Sequence, residues 1–251
     1  MVDKALDGQC VVLTGATRGI GKATALRFAE EGARIVAVAR NADDLDTLAR
    51  ELGDAMAASV AGDVGDEAIA EQALRACLPL GGCDILVNTA GIFPAARLAD
   101  IKTAEAEAII RTNFFGVFNF CRTIVPHMVQ RSSGAVVNVS SIAARTPTPG
   151  ISVYAASKAA VESFSRSIAA EVAPTVRVNC LAPGPTMTEA VAKLAAEDTT
   201  GAVDGVATGL PMGRYGEPDE VADGILFLAR SKASRWMTGQ TVQVNGGGFM
   251  A

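Results

Sequence analysis

Residues 11–21 read VVLTGATRGIG, an apolar run from Val11 to Thr14 that passes straight into Gly15-Ala16-Thr17-Arg18-Gly19-Ile20-Gly21. A continuous Val/Leu run suits a strand covered on both faces, and a helical pattern takes over near Ile20. Glycines between the two let the backbone turn tightly and approach a pyrophosphate, whose charge then meets the free N–H groups of a helix N-terminus. The spacing G-x-x-x-G-x-G is one residue longer than the common dinucleotide fingerprint, and in isolation it reads equally well as a tight strand–helix turn. Its place decides for the phosphate: first strand, first turn, first helix.

The same unit recurs along the chain. Arg34–Ala39, Met56–Val60, Ile85–Asn88, Ala135–Val139, Val176–Leu181 and Thr241–Val244 read as further strands, with amphipathic segments near 20–31, 43–52, 66–78, 103–131, 152–173 and 218–229 between them. Such alternation predicts right-handed crossovers and a doubly wound α/β parallel sheet with helices on both faces. The chain has 251 residues, 49% hydrophobic and 20% charged, and no linker or repeat, so one domain over 1–251 is expected. From Pro183 to Pro218 the rhythm breaks into Gly, Pro and Thr with two short helical pieces. A long excursion in a compact domain is usually functional, and a substrate lid over about 185–215 is expected.

Charge and composition remove several classes. A formal charge of −5 with dispersed basic residues argues against nucleic acid. No apolar run reaches the roughly 18 residues of a membrane span, and Met1–Cys10 lacks the basic and apolar regions of a signal peptide, so a soluble, cytoplasmic protein without membrane partners is expected. Cys10, Cys77, Cys83, Cys121 and Cys180 form no C-x-x-C, and His127 is the only histidine. No metal site is expected, and a serine hydrolase lacks its G-x-S-x-G elbow.

Two further places carry chemistry. The second strand ends at Ala39-Arg40, where an acidic residue would hold the ribose hydroxyl of NAD. Ala39 has no carboxylate, whereas the forked donors of Arg18 and Arg40 suit the extra phosphate of NADP. NADP(H) is therefore expected over NAD(H), against an alcohol dehydrogenase running oxidatively on NAD. Farther on, Ser140-Ser141 end a strand, and Tyr154-Ala-Ala-Ser-Lys158 follows thirteen residues after Ser141. Tyr154 and Lys158 at i and i+4 share one helix face.

With TGATRGIG at 14–21, Asp63-Val64, NTAG at 88–91, Asn113, Ser141, Tyr154-x-x-x-Lys158, Pro183-Gly184 and VNGG at 244–247, the chain resembles the short-chain dehydrogenase/reductase family along nearly its whole length. The similarity is strongest to the branch that includes 3-oxoacyl-carrier-protein reductases. It implies a single-domain Rossmann-type, seven-stranded sheet and a catalytic tetrad of Asn113, Ser141, Tyr154 and Lys158. The cofactor would lie against Gly15, Thr17, Arg18, Gly19, Ile20, Gly21, Arg40, Asp63, Val64, Asn88, Ala90, Gly91, Tyr154, Lys158, Pro183, Gly184, Thr186 and Thr188. Asp63 would meet the adenine, and Asn88 and Gly91 would lie along the nucleotide. Thr89 and Asn245 depart from the family's usual asparagine and aspartate; Thr89 is read as altering strand support. Homotetramers built by the two long helical segments are the family's habit.

The chemistry can be argued from the residues. Ketone reduction needs a proton on oxygen as hydride reaches carbon. A phenol of pKa about 10 is a poor acid at neutral pH. A lysine ammonium ~4 Å away contributes a gross interaction of roughly 4 kcal/mol with the phenolate at an effective dielectric of 20, opposed by desolvation. Ser141 would orient the substrate oxygen, and Asn113 would hold a water relaying protons from Lys158.

Pocket candidates Ile92–Ala95, Ile142–Pro149, Val153 and Pro185–Leu210 are small, apolar or proline residues for the most part, with Arg145 and Lys193 able to clamp a carboxylate. They favour a modest, mostly apolar ketone or secondary alcohol. The alternative is a 3-oxoacyl thioester, weakened by the absence of a basic residue in Glu171–Thr175, where carrier docking would want one; Arg131 is the nearby candidate. An alternative of another class is a catalytically inactive NADP-sensing module.

Overall fold

The computed structural model describes residues 4–198 and 202–250; the tips of the expected 1–251 domain and residues 199–201 of the expected lid lie outside them. In chain order the elements are β1 (Cys10–Thr14), α1 (Gly19–Glu30), β2 (Arg34–Ala39), α2 (Ala42–Leu52), β3 (Met56–Ala61), α3 (Glu67–Cys77), β4 (Ile85–Asn88), α4 (Thr103–Ile110), α5 (Gly116–Gln130), β5 (Gly134–Val139) and α6 (Ser152–Val172). Then follow β6 (Val176–Pro183), α7 (Glu189–Glu197), α8 (Ala202–Thr208), α9 (Pro218–Ala229), α10 (Ser231–Ser234) and β7 (Thr241–Val244). The strands form one seven-stranded parallel sheet in the order β3-β2-β1-β4-β5-β6-β7, as the alternation predicts.

Strand residues alternate between two cores because successive side chains leave opposite faces. Val11, Leu13, Ile35, Ala37, Ile85 and Val87 meet Phe28 of α1, Leu45 and Leu48 of α2 and Ile225 of α9. Cys10, Val12, Val36, Val38 and Leu86 meet Ile69 of α3, Phe120, Ile124 and Met128 of α5 and Val161 of α6. Being covered on both sides is why the strands read as unbroken apolar runs. Polar side chains start two of the helices: Asn41 Oδ1 accepts from Asp43 N (2.9 Å) and Asp66 Oδ1 from Ala68 N (3.0 Å). Among the described residues no helix is long and apolar enough to cross a membrane.

Strand order reverses between β1 and β4, and a doubly wound sheet opens its binding crevice at the carboxyl ends of the strands at that reversal. The glycine-rich turn, Ser141 and Tyr154 all lie at those ends. His127 packs at the other end of the sheet, against Gly82 in the approach to β4, so it is remote from any chemistry in the crevice. All five cysteines are buried and free, and burial pushes the Cys121 thiol up to about 12. They behave as small hydrophobes.

One element departs from the sequence reading. The segment 103–131 is not one helix but α4 and α5 joined by a π-helical turn at Arg111–Phe115. The wide turn carries Asn113 inward, where three hydrogen bonds retain it, and π turns of this kind recur at functional sites.

The glycine turn leaves no room for side chains. A Cβ at Gly21 would overlap the Gly15 carbonyl oxygen and come within 2.7 Å of Thr89 Oγ1. Gly21→Ala is expected to cost about 3 kcal/mol, lowering Tm by roughly 6–12 °C without nucleotide, as thermal unfolding would record. A fall under two degrees would show that the turn can relax.

Candidate active site

The glycine turn is the first component. Gly15 and Gly19 hold positive φ (68° and 52°), and a Cβ on Gly15 would come within 2.8 Å of Ala90 Cα, so the turn is pressed against the exit of β4. The Thr89 hydroxyl donates to the Thr14 carbonyl and Ala90 N donates to Thr14 Oγ1 (3.2 Å), closing β1 onto β4. Thr89 thus supports the strand ends, the role the sequence suggested. Thr17 and Ile20 are half-buried on the turn and at the start of α1.

The N-terminus of α1 already holds an anion. Gly19 N–H donates to Glu189 Oε2 at 2.9 Å, a carboxylate delivered by the first turn of α7. A carboxylate there is a stand-in for phosphate: the donors, the dipole end and the absence of Cβ atoms fit a pyrophosphate. Thr188 caps the approach, its Cγ2 lying 3.1 Å from where a Gly19 Cβ would stand. Pro183 ends β6, and Gly184 is crowded against Asn245, a Cβ there falling 2.7 Å from Asn245 Cα. Thr186 is buried and donates to Gly184 O (3.0 Å).

Around β2 and β3 the sequence candidates are on the surface. Arg40 is exposed at the tip of β2, and Arg18 pairs with Asp44 at 3.2 Å while 72% of its side chain stays in solvent. Asp63 is exposed, accepting from Gly65 N (2.8 Å), and Val64 is buried against Gly116. Asn88 differs from expectation. Its side chain turns into the core, donating to Asn138 Oδ1 (2.8 Å), and Asn138 in turn donates to Ser165 (2.8 Å), so Asn88 sews β4 to β5 and α6.

Ser141, Tyr154 and Lys158 converge. Ser141 Oγ accepts from Ala143 N (3.2 Å), and its hydroxyl lies near enough to the Tyr154 phenol to act on its proton affinity. Ser140 faces away, donating to Glu162 Oε1 (3.0 Å) and Lys158 O (3.3 Å). Lys158 is buried and its Nζ donates to Val139 O (2.8 Å), 5.8 Å from the centre of the tyrosine ring. Phe93, 61% exposed, stands edge-on to that ring at 4.7 Å.

One expectation changes here. Burial raises the Tyr154 phenol above its ordinary value, with the Ser141 hydroxyl opposing, rather than Lys158 lowering it. Burial also pulls the Lys158 ammonium down to about 8. Desolvation is the larger influence on both groups, and the ammonium is aimed at the Val139 carbonyl. Asn113 is buried beside Gly91 and held through its side-chain amide. Its Oδ1 accepts from Ile92 N (2.8 Å), and its Nδ2 donates to Ile92 O (3.0 Å) and Ser157 Oγ (3.1 Å). Through those bonds the side chain clamps the loop after β4.

Glu162 escaped the sequence reading, whereas Phe93 and Glu189 lie within the expected pocket ranges Ile92–Ala95 and Pro185–Leu210. Glu162 carried a usable signal, since Tyr154, Lys158 and Glu162 recur every four residues on one face of α6. Among the described residues no group of three or more His, Cys, Asp or Glu side chains could hold a metal.

A hydroxyl pair and a buried lysine beside an anion-binding turn define an oxidoreductase that uses a nicotinamide cofactor on C=O or CH–OH groups. The chain belongs to the short-chain dehydrogenase/reductase family, whose model matches residues 9–199, and to its 3-oxoacyl-carrier-protein reductase-like branch. It is 38% identical over 246 residues to a Thermotoga maritima 3-oxoacyl-[acyl-carrier-protein] reductase, covering 96% of this chain and 98% of that one. A Vibrio cholerae enzyme of the same name is 37% identical over 250 residues, covering 98% and 99%. A Brucella melitensis crystal structure, a short-chain dehydrogenase/reductase described as glucose/ribitol dehydrogenase, superposes with a TM-score of 0.91 at 33% identity over the whole of both chains.

The lysine shift has a thermodynamic consequence. Between about pH 8 and the ordinary lysine value of about 10.5, the unfolded chain binds more protons at this position than the folded one, so stability contributed here rises with pH. Lys158→Met should therefore hold its largest Tm advantage over wild type below pH 8, and the advantage should shrink as pH climbs towards 10. Parallel Tm–pH curves for the two proteins would refute the shift.

Proposed function

We propose that the chain reduces 3-oxoacyl thioesters with NADPH, Tyr154 supplying the proton. The observation that carries the reaction class is the convergence of Ser141, the Tyr154 phenol and the buried Lys158 ammonium at the crevice of the sheet reversal. The bound nicotinamide supplies hydride chemistry at the substrate carbon. The chain's residues do the rest. Ser141, whose oxygen is engaged by Ala143 N, directs its proton to the substrate oxygen; Tyr154 protonates that oxygen; Lys158 stands behind to renew the proton. Gly15, Thr17, Gly19, Ile20 and Gly21 cradle the phosphates, Ala90, Gly91, Pro183, Gly184, Thr186 and Thr188 flank the rest, and Arg18 and Arg40 take the 2′-phosphate. Asp63 and Val64 border the adenine, while Asn88 contributes support from beneath.

The acyl-thioester reading is supported by the names of full-length relatives and by exposed apolar side chains at the opening, Phe93 on Tyr154 and Leu194 on the lid helix α7. A second reading, a free apolar ketone, is favoured by one observation. Arg131, the candidate for docking an acidic carrier, is already held by Asp84 (2.8 Å) and the Cys83 carbonyl (2.8 Å).

Absorbance loss of NADPH, with NADH in parallel, tests these readings across a 3-oxoacyl thioester on carrier protein, the same acyl group on a short thiol, and simple ketones. Fast oxidation with thioesters and preference for NADPH, lost in Arg40→Ala, are expected. Tyr154→Phe should reduce turnover at least a hundredfold while NADPH binding stays near wild type. Ketones alone as substrates would install the second reading, and nucleotide binding without turnover would make the chain a sensing module.

The chain is also proposed to form homotetramers. Phe115, 48% exposed, and Phe118 join Phe114 and Phe164 in a ring cluster across α5 and α6 that suits pairing with a second copy. Light scattering is expected to give the tetramer mass; a monomer mass would reject it.

A further inference from the structure

Glu162 is a carboxylate buried one helical turn beyond Lys158, with 5% of its side chain exposed. A buried charge needs partners, and Glu162 has them on two segments outside its own helix. Oε1 accepts from Ser140 Oγ (3.0 Å) at the end of β5, and Oε2 accepts from Arg145 Nε (2.9 Å) in the loop after Ser141. Arg166, on α6 itself, approaches more loosely at 3.8 Å and is half exposed.

Arg145 reaches further. Its guanidinium carbon lies over the ring of Phe249 in the C-terminal tail, 5.9 Å from the centroid. The tail is fixed around that contact: Asn245 Nδ2 donates to Phe249 O (3.0 Å) and Asn245 Oδ1 accepts from Gly247 N (3.0 Å). Gly248 is pressed so close that a Cβ there would lie 2.9 Å from Leu210 Cδ2 and 3.3 Å from Ile142 Cδ1. Ile142 directly follows Ser141. One ion pair therefore joins the helix that carries Tyr154 and Lys158, the turn that carries Ser141, and the tail that lies on that turn.

We propose that Glu162 and Arg145 are positioning residues forming a strut, which sets Ser141 against Tyr154 and seats Phe249 as a wall on the substrate side. The arginine's Nε and one face of its guanidinium are then engaged by the protein, which gives it a structural task in place of the expected carboxylate clamp. The strut touches neither the glycine turn nor the end of β2, so it governs the substrate half of the site and leaves the cofactor half alone. This inference rests on the reductase reading.

The test uses full-length Arg145→Met, Arg145→Lys, Glu162→Gln, Phe249→Ala and the Arg145→Met/Glu162→Gln double variant. Arg145→Met should raise KM for the carbonyl substrate and lower kcat, together on the order of tenfold or more in kcat/KM, with the NADPH Kd within twofold. Arg145→Lys should recover part of the loss, Phe249→Ala should reproduce the KM rise, and the double variant should be no worse than Arg145→Met, the mark of a coupled pair. Amide hydrogen exchange, which needs no turnover, should rise at 142–146 and 245–250 in Arg145→Met and stay unchanged at 14–21. Unchanged exchange at both segments, additive losses, or an NADPH Kd that worsens in step with KM would overturn the strut. A wild type inactive on every substrate would overturn the reductase reading instead, and exchange would still decide the strut.

Discussion

A lysine ammonium buried beneath a tyrosine is expensive to hold, and the centre of this molecule is organised around holding it. Lys158 has one protein acceptor close by, the Val139 carbonyl at 2.8 Å, and burial draws its proton affinity down to about 8. Such a group stays in place only if its helix cannot shift. Four contacts pin α6 to the end of β5: Lys158 to Val139, Ser140 to Glu162 and to the Lys158 carbonyl, and Asn138 to Ser165. Loosening any of them lets water reach the ammonium and moves Tyr154 with it. Rigidity of α6 on β5 is thus the condition for the chemistry, more than the presence of the reactive groups.

The opposite side of the crevice is held far more lightly. Glu189 occupies the Gly19 N–H from α7, which has no buried residue and so little apolar packing to hold it. On the proposed reading, a pyrophosphate and this carboxylate compete for one donor. Two anions cannot share it, so the nucleotide must release Glu189 and free the helix it starts. The lid and the cofactor are linked through that single N–H. Few buried contacts and one replaceable polar contact suit an element whose position changes on binding.

How much of this could be read from residues alone follows the physics of each part. The five inner strands were legible because burial on both faces enforces apolar runs, and Ser141, Tyr154 and Lys158 because i,i+4 spacing and chain order survive without coordinates. The π turn was not legible. Nothing in Arg111–Phe115 marks it, and it exists because Asn113 bonds to Ile92 and Ser157, which are distant in sequence. Asn88 was assigned to the crevice because a motif gives position and not direction; strand alternation sends its side chain to Asn138. The pKa of Tyr154 was misjudged for a related reason. Distance to Lys158 can be guessed from spacing, but desolvation depends on everything packed around both groups.

A division of labour follows from where backbone and side chains each do the binding. The cofactor half is made of N–H groups, glycines and strand ends, so it depends on short local motifs that any chain of this fold can carry. On the proposed reading, the substrate half is made of side chains brought together from Phe93, Ile142, Arg145, Leu210 and Phe249, segments that share no motif and meet only through the fold. Substitution there alters the pocket without disturbing the turn that holds phosphate. Reaction class is therefore written in local sequence and substrate choice in tertiary contact. That is why relatives at 38% identity fix the class, while the occupied Arg131 and the seated Phe249 bear on what the enzyme reduces.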